Sequence, residues 1–189
     1  MREPTSLDRT MAAMAFKEED RVPVFLMFTM HGARLLRIPL RQYLTKAENM
    51  AKGQLRLREL YGHDCLYNLS YAAAEVQAFG GEVTFFRDGP PTTALPVLKG
   101  REDIDGLEPP RLEGCKALQE TLRTTSFLKG SAGDEAPIIG VVVSPFSLPV
   151  MQMGFQAYLD LLLEDRPRFW SLMKVNQEFC VEWGNRQME

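Results

Sequence analysis

Short apolar runs alternate with longer amphipathic stretches along the chain. The run over 22–28 is almost unbroken and has Pro23 near its start, where a strand tolerates a missing amide donor. The run over 137–143 is largely β-branched and contains no polar side chain. Strands that are apolar on both faces are typical of a parallel sheet covered by helices. We therefore predict interior strands in both runs, and a shorter buried strand within 64–69.

Apolar residues spaced three and four apart predict helices between and after these strands. Thr5 or Ser6 is available to cap the first helix, and Thr45 and Glu48 have capping-box spacing before the second, which Gly62 closes. Two period-two runs around Asp88-Gly-Pro-Pro predict an antiparallel hairpin over 82–98. The predicted helices span 6–16, 46–61, 113–129 (closed by Gly130) and 154–164, and a last one starts at Arg166.

This alternating order implies an α/β fold with a parallel sheet and right-handed crossovers. About three to four βα units are present, whereas a closed (β/α)8 barrel needs eight and typically about 250 residues. The residues therefore predict a single domain over 1–189, either a small open sheet or part of a barrel.

Composition narrows the classes of partner. A chain of 189 residues, 45% hydrophobic and 25% charged, is typical of a globular protein with one core. Its net charge of -3 argues against nucleic acid as the main partner. No apolar segment approaches the roughly 20 residues that cross a bilayer, and no signal-peptide core follows the amino terminus, so we expect a cytoplasmic protein. Three scattered cysteines without a CxxC pair predict reduced, packed thiols.

Polar residues follow each predicted strand, in loops where α/β folds place ligands. Glu75 is the first candidate, because a carboxylate in an Ala- and Val-rich loop is costly without a partner or ligand. Its alternative is a helix-start carboxylate facing the helix dipole. His31 is a candidate site-lining donor or general acid, or else it packs in its loop.

The other candidates each have a plain structural alternative. Asn68 and Tyr71 suit a flat ligand or the satisfaction of loop backbone. Arg34 suits an anionic group or a solvated cluster with Arg37 and Arg41. Met151 suits an adaptable cavity or core filling, and Ser144 has no base partner visible in the sequence.

Three stretches together resemble a known family. They are 21–27 with Gly32 and Arg34 behind it, Ala78-Phe-Gly-Gly-Glu-Val-Thr-Phe, and Pro137-Ile-Ile-Gly-Val-Val-Val-Ser-Pro-Phe-Ser-Leu. Their content, order and separation resemble the amino-terminal half of the uroporphyrinogen decarboxylase superfamily, which also contains the methylcobamide:coenzyme M and other corrinoid methyltransferases. The resemblance implies half of a (β/α)8 barrel of the TIM type, with the hairpin inserted after the second strand.

The polar residues at the strand ends separate the two branches. Decarboxylases of the family have an Arg-Gln-Ala-Gly-Arg segment after the first strand, where this chain has Phe28 to Arg34. The resemblance places Tyr71 where those enzymes have a substrate-binding aspartate, and Met151 where they have a tyrosine. A polyanionic tetrapyrrole would lose several charge-assisted hydrogen bonds, each worth about 1.5–3 kcal/mol. The resemblance therefore favours the methyltransferase branch.

In that branch, a methyl group moves from a methylcorrinoid protein to a thiol or pterin acceptor. The resemblance implies Glu75 and His31 as catalytic residues and Asn68, Tyr71, Arg34, Ser144 and Met151 as substrate-binding residues. It also implies a zinc ion, held by a histidine and two cysteines in the later half of the barrel. Cys65, Cys115 and Cys180 do not match those positions, so we expect zinc only in the complete enzyme and no turnover by this chain alone.

Two alternatives remain open. One is a uroporphyrinogen decarboxylase of tetrapyrrole biosynthesis with diverged substrate contacts. The other is a non-catalytic half-barrel that acts as a binding module. Its exposed sheet edges would be covered by a homodimer or another partner.

Overall fold

Short strands and longer helices form the computed structural model, which describes residues 3–189. These residues divide into two units: the first contains the residues up to Ser70 with Glu120–Val141, and the second contains Tyr71–Gln119 with Val142–Glu189. The α-helices are α1 (Ser6–Met14), α2 (His31–Leu36), α3 (Leu40–Leu44), α4 (Ala47–Tyr61), α5 (Ala74–Ala78), α6 (Lys116–Ala132), α7 (Leu148–Met153), α8 (Phe155–Glu164) and α9 (Arg166–Met188). The strands are β1 (Leu66–Tyr67), β2 (Val83–Thr84), β3 (Thr92–Thr93) and β4 (Ile138–Ile139), and 3₁₀ turns span Arg101–Ile104 and Leu112–Gly114.

Strands β1 and β4 pair in parallel in the first unit, with Leu66 opposite Ile138 and Tyr67 opposite Ile139. The predicted parallel arrangement of these two segments is confirmed, although each strand is shorter than its apolar run. Leu66 packs into a core cluster with Ala51 of α4 and Leu128 of α6. The two helices therefore cover β1, as the apolar pattern of this strand requires.

The interior strand predicted over 22–28 is wrong. No strand is assigned there, and Val24, Phe25 and Met27 are 45%, 41% and 63% exposed. Backbone groups of this segment bond to side chains: Val24 N–H donates to Asp64 Oδ2 at 2.8 Å, and Phe28 C=O accepts from Gln54 Nε2 at 2.6 Å. One backbone bond joins this segment to the residue before β1, from the Asp64 amide to the Val24 carbonyl at 2.8 Å. A β-ladder needs successive backbone pairs, and here side chains take two of the backbone groups instead.

Most predicted helices are confirmed, as α1, α4, α8 and α9. Thr5 caps α1 by a reciprocal capping box with Asp8, and Gly62 ends α4 in the left-handed conformation, at a φ of 62°. The helix predicted over 113–129 instead runs from Lys116 to Ala132, so the chain continues in helix through Gly130.

The capping box predicted for Thr45 and Glu48 is wrong. Thr45 Oγ1 donates to the carbonyl of Arg41 at 2.7 Å, and no side chain of its own segment caps α4. Instead, the amide of Ala47 donates to Glu120 Oε2 of α6 at 2.7 Å. A carboxylate from a distant helix thus satisfies the start of α4, which local spacing does not reveal.

Three strand-exit segments predicted as loops contain short helices, namely α2, α5 and α7. Their sequences are rich in Ala, Leu, Met and Gln, which favour helix. Gly32 of α2 and Gly53 of α4 both face the buried ring of Tyr43, where an added methyl group would overlap it. The Tyr43 ring of α3 packs closely against both helices because neither has a side chain at that point.

The second unit contains the predicted hairpin, in which β2 and β3 are antiparallel with Val83 opposite Thr93. Its core cluster joins Tyr158 and Leu161 of α8 to Phe169 and Leu172 of α9. Farther along α9, one face is buried and consists of Asn176, Phe179, Cys180 and Trp183. This face positions the groups described below.

Two expectations from composition have a structural counterpart. Cys65, Cys115 and Cys180 are free and buried, which confirms the prediction of packed thiols. Among residues 3–189, no helix combines the length and the apolar character that a membrane span requires.

Candidate active site

Glu75 lies in the first turn of α5, in the second unit, and is only 4% exposed. Its Oε1 accepts a hydrogen bond from the amide of Val143, just beyond β4, at 2.9 Å. Its Oε2 is also buried and has no hydrogen-bond partner. Unsatisfied carboxyl oxygens are rare in protein interiors, because no hydrogen bond compensates for the free energy lost when they leave water. One oxygen of this side chain is therefore held in place, while the other can receive a proton or a donor group.

Burial raises the pKa of Glu75 to about 7. The Val143 amide and the indole N–H of Trp183 stabilise the carboxylate and lower its pKa, but they offset burial only in part. Trp183 is 2% exposed, and its Nε1 makes no hydrogen bond of good geometry. Glu75 can therefore exist in both protonation states near neutral pH, as a general acid or base requires.

Cys180 contacts the carbonyl side of the Val143 peptide, whose amide binds Glu75. Its Sγ donates to the carbonyl of Val143 at 3.1 Å. Burial, together with the nearby charge of Glu75, raises the pKa of this thiol to about 12. Cys115 Sγ contacts the carbonyl of Ala74 at 3.9 Å, and burial raises its pKa as well. Both thiols stay neutral at physiological pH and are not thiolates. Cys180 contacts the peptide that holds Glu75, whereas Cys115 contacts only the backbone carbonyl of Ala74.

The sequence did not identify Cys180 or Trp183 as functional candidates. Their spacing of three, in phase with Asn176 and Phe179, predicts that they share a helix face. What this face packs against is a tertiary property that spacing does not contain. The buried face of α9 meets Glu75, and the position of α9 therefore adds these two residues to the candidate site.

Three other predicted site residues lie in the second unit. Tyr71 is buried, its hydroxyl donates to Gln77 Oε1 at 2.6 Å, and its ring packs edge-on against Phe85. Ser144 is exposed, and its Oγ accepts from the amide of Phe146 at 3.1 Å. Met151 is half-buried in α7, which contacts α5. Ser144 is next to Val143, so the structure brings it near Glu75 through that peptide.

His31, Arg34 and Asn68 lie in the first unit. Asn68 is buried, its Nδ2 donates to Thr125 Oγ1 at 3.0 Å, and its amide extends the β1–β4 pairing to the carbonyl of Ile139. His31 and Arg34 are exposed on α2, and the imidazole packs edge-on against Phe28 with ring centres 5.2 Å apart. The exposed His31 is therefore open to solvent, whereas Asn68 has a structural partner.

Gln54 was also missed by sequence reasoning. It is fully buried in α4, and it links Phe28 to β1 because its Nε2 donates to Phe28 O while its Oε1 accepts from the Tyr67 amide at 3.2 Å. A glutamine inside a helical pattern gives no sequence signal of this kind, because most glutamines are exposed. The bridge brings the segment before His31 and the segment before Asn68 to the same strand exit.

The described residues do not fit a zinc site. Across residues 3–189, no three His, Cys, Asp or Glu side chains are grouped as metal ligands. The raised pKa of the Cys65, Cys115 and Cys180 thiols disfavours the thiolate form that zinc binds.

Comparison with known protein families identifies the fold. A family model described as "Uroporphyrinogen decarboxylase (URO-D)" matches residues 5–189. The chain belongs to the uroporphyrinogen decarboxylase family. The resemblance found in the three sequence stretches is thereby confirmed.

A solved structure of the same general fold is a methyltransferase from Methanosarcina mazei. It matches this member of the uroporphyrinogen decarboxylase family with a TM-score of 0.84 at 19% sequence identity. The match covers 98% of this chain and 56% of the methyltransferase chain. The chain is thus a helix-rich α/β structure that spans about half of that protein. No curated protein sequence matches the chain significantly.

Proposed function

We propose that the complete protein is a methyltransferase of the uroporphyrinogen decarboxylase family, which moves a methyl group from a methylcorrinoid protein to a thiol or pterin acceptor. In this proposal the chain is the amino-terminal half of a (β/α)8 barrel in a single domain, and β1 and β4 belong to its inner sheet. The observation that supports the proposal best is the neutral surroundings of the buried Glu75.

A tetrapyrrole decarboxylase needs cations around its site, because its substrate has several carboxylates. The groups that hold or face the Glu75 carboxyl in the second unit are a backbone amide, an indole and a thiol. A polyanion placed here would meet a buried carboxyl and no compensating cation from these groups. The cluster therefore favours an uncharged or weakly polar acceptor over a polycarboxylate.

Methyl transfer to a thiol releases a proton. The sulfur bonds to the methyl carbon, the cobalt–carbon bond breaks with its electron pair left on cobalt, and the thiol proton is lost. A carboxyl with a pKa of about 7 can accept this proton at neutral pH, and we assign that role to Glu75. His31 serves as a second, solvent-exposed acid–base group. We assign substrate contacts to Tyr71, Ser144 and Met151 in the second unit and, separately, to Arg34 and Asn68 in the first.

The zinc of the related methyltransferases has no ligand set among residues 3–189, so no step assigned to this chain passes through it. We assign any metal ligands to the remaining part of the protein. Methylcobamide is a substrate in this scheme, brought by the corrinoid protein.

Ligand titration tests the proposal. We expect the visible spectrum of methylcobalamin to change in a saturable way when the chain is added at pH 7.5, and uroporphyrin to compete poorly. Because we place the Glu75 carboxyl at the wall of the cavity that receives methylcobalamin, E75Q should weaken methylcobalamin binding several-fold. E82Q, which changes an exposed carboxylate in the same unit, should not. Tighter binding of uroporphyrin than of methylcobalamin would instead support a decarboxylase. Binding of neither would overturn the proposed site.

A further inference from the structure

We propose that Cys180 and Trp183 of α9 are positioning residues for Glu75. Cys180 fixes the carboxyl through the peptide of Val143, and Trp183 places its buried indole beside the carboxyl without a well-formed hydrogen bond. The inference rests on the proposed function, in which Glu75 exchanges a proton with the acceptor. Neither residue needs to touch the substrate in this role.

The peptide of Val143 is held from both sides. Glu75 Oε1 binds its N–H at 2.9 Å, and Cys180 Sγ binds its C=O at 3.1 Å. Val143 lies beyond the end of β4 at Ile139, so its peptide is outside the strand pairing and these two side chains hold it. If Cys180 lost its donor, the peptide could rotate, and Glu75 would lose the bond that orients Oε1.

Trp183 acts on the carboxyl from one turn farther along α9. Its indole is 2% exposed, and its N–H faces a carboxyl whose Oε2 has no partner. A buried indole normally finds an acceptor for its N–H. The indole N–H of Trp183 makes no well-formed bond here, and its proximity favours the ionised form of Glu75 without occupying Oε2.

Among the titratable side chains near Glu75, the one that contacts its cluster directly belongs to α9. Cys180 faces it from α9, and Cys115 reaches only the backbone of the preceding Ala74. Helix α7, which contacts α5, contains no titratable side chain. Substitutions of Cys180 and Trp183 should therefore alter the titration of Glu75, whereas substitution of Cys115, an equally buried thiol in the same unit, should not.

NMR of the chain labelled with glutamate at the carboxyl carbon tests this. The Glu75 resonance is assigned by its loss in E75Q, and its midpoint is followed from pH 4 to pH 9. We expect C180A and W183F to raise this midpoint by about one pH unit, because each removes stabilisation of the carboxylate. C180S, which keeps a donor to the Val143 carbonyl, should restore the wild-type midpoint if positioning is the cause.

Two controls separate positioning from general loss of packing. C115A removes a buried thiol, and W170F removes an indole that is 64% exposed; both should leave the Glu75 midpoint unchanged. Unchanged midpoints in folded C180A and W183F, or an equal shift in C115A, would overturn the inference. If C180A fails to fold, W183F and C180S decide. The titration needs no corrinoid, so its failure is distinct from failure of the methylcobalamin experiment.

Discussion

Asp64 should be the strongest single electrostatic support of the first unit. It is fully buried just before β1 and accepts hydrogen bonds from the guanidinium groups of Arg9, at 2.8 Å, and Arg21, at 2.6 and 2.9 Å. Ser6 Oγ and the Val24 amide complete its shell. These contacts connect α1 and the segment before α2 to the start of β1, so the residue fixes the path of the chain toward His31.

The expected loss of stability follows from the pKa of Asp64. Burial raises this pKa, but the hydrogen bonds to the carboxylate and the Arg21 charge together outweigh burial and lower it from 3.8 to about 2. This shift corresponds to roughly 2 kcal/mol of stability at neutral pH. D64N would also leave the buried guanidinium of Arg9 with Asp20 as its remaining charged partner, and disrupting such pairs costs about 3–5 kcal/mol. We expect D64N to lower the free energy of unfolding by about 3 kcal/mol.

Urea denaturation at pH 7 and at several values between pH 5 and pH 2 provides the assay. Because the pKa of Asp64 is depressed in the folded state, its contribution is present above the unfolded value of 3.8 and is lost as pH falls through about 2. The acid-dependent loss should be smaller in D64N. D88N, which changes a highly exposed hairpin carboxylate, is the matched control. A D64N stability within about 0.5 kcal/mol of wild type would refute the reasoning.

Two further predictions concern stability. Since burial raises the pKa of Glu75 from 4.5 to about 7, the free energy of unfolding of the wild-type protein should fall by roughly 3 kcal/mol as pH rises through this window. Urea midpoints should show a smaller loss in E75Q than in E82Q, and an equal dependence on pH in the two variants would contradict the burial argument. G53A should lower the free energy of unfolding by about 2 kcal/mol, because the added methyl group overlaps the Tyr43 ring. G114A, whose methyl group meets no neighbour, should be near neutral in thermal unfolding. Equal effects of the two substitutions would contradict the close contact with Tyr43.

Much of the fold could be predicted from local pattern. The helices around Leu57 and Leu161 follow from 3.6-residue periodicity, and the hairpin follows from alternation around Asp88. The segment 22–28 could not be predicted, because apolar composition does not reveal which side chains satisfy the backbone. Asp64 and Gln54 do so here, and both come from other elements.

The candidate site shows the same division. Glu75 was identified because a carboxylate among small apolar residues is costly, and its burial agrees with that physical reasoning. Cys180 and Trp183 were missed, because they lie about a hundred residues later and meet Glu75 only through the packing of α9. The predicted roles of His31 and Asn68 remain predictions. The sequence thus identifies a polar residue whose burial is unfavourable, while the residues that contact it depend on tertiary packing.

The emission of Trp183 gives the most direct test of the central claim, that Glu75 is a buried carboxyl which changes protonation near neutral pH. In W170F, Trp183 is the one remaining tryptophan, and its indole N–H faces this carboxyl. We expect its fluorescence to titrate with a midpoint near pH 7, and this transition to vanish when E75Q is added. A midpoint near 4.5, or a transition that persists in E75Q, would contradict the account.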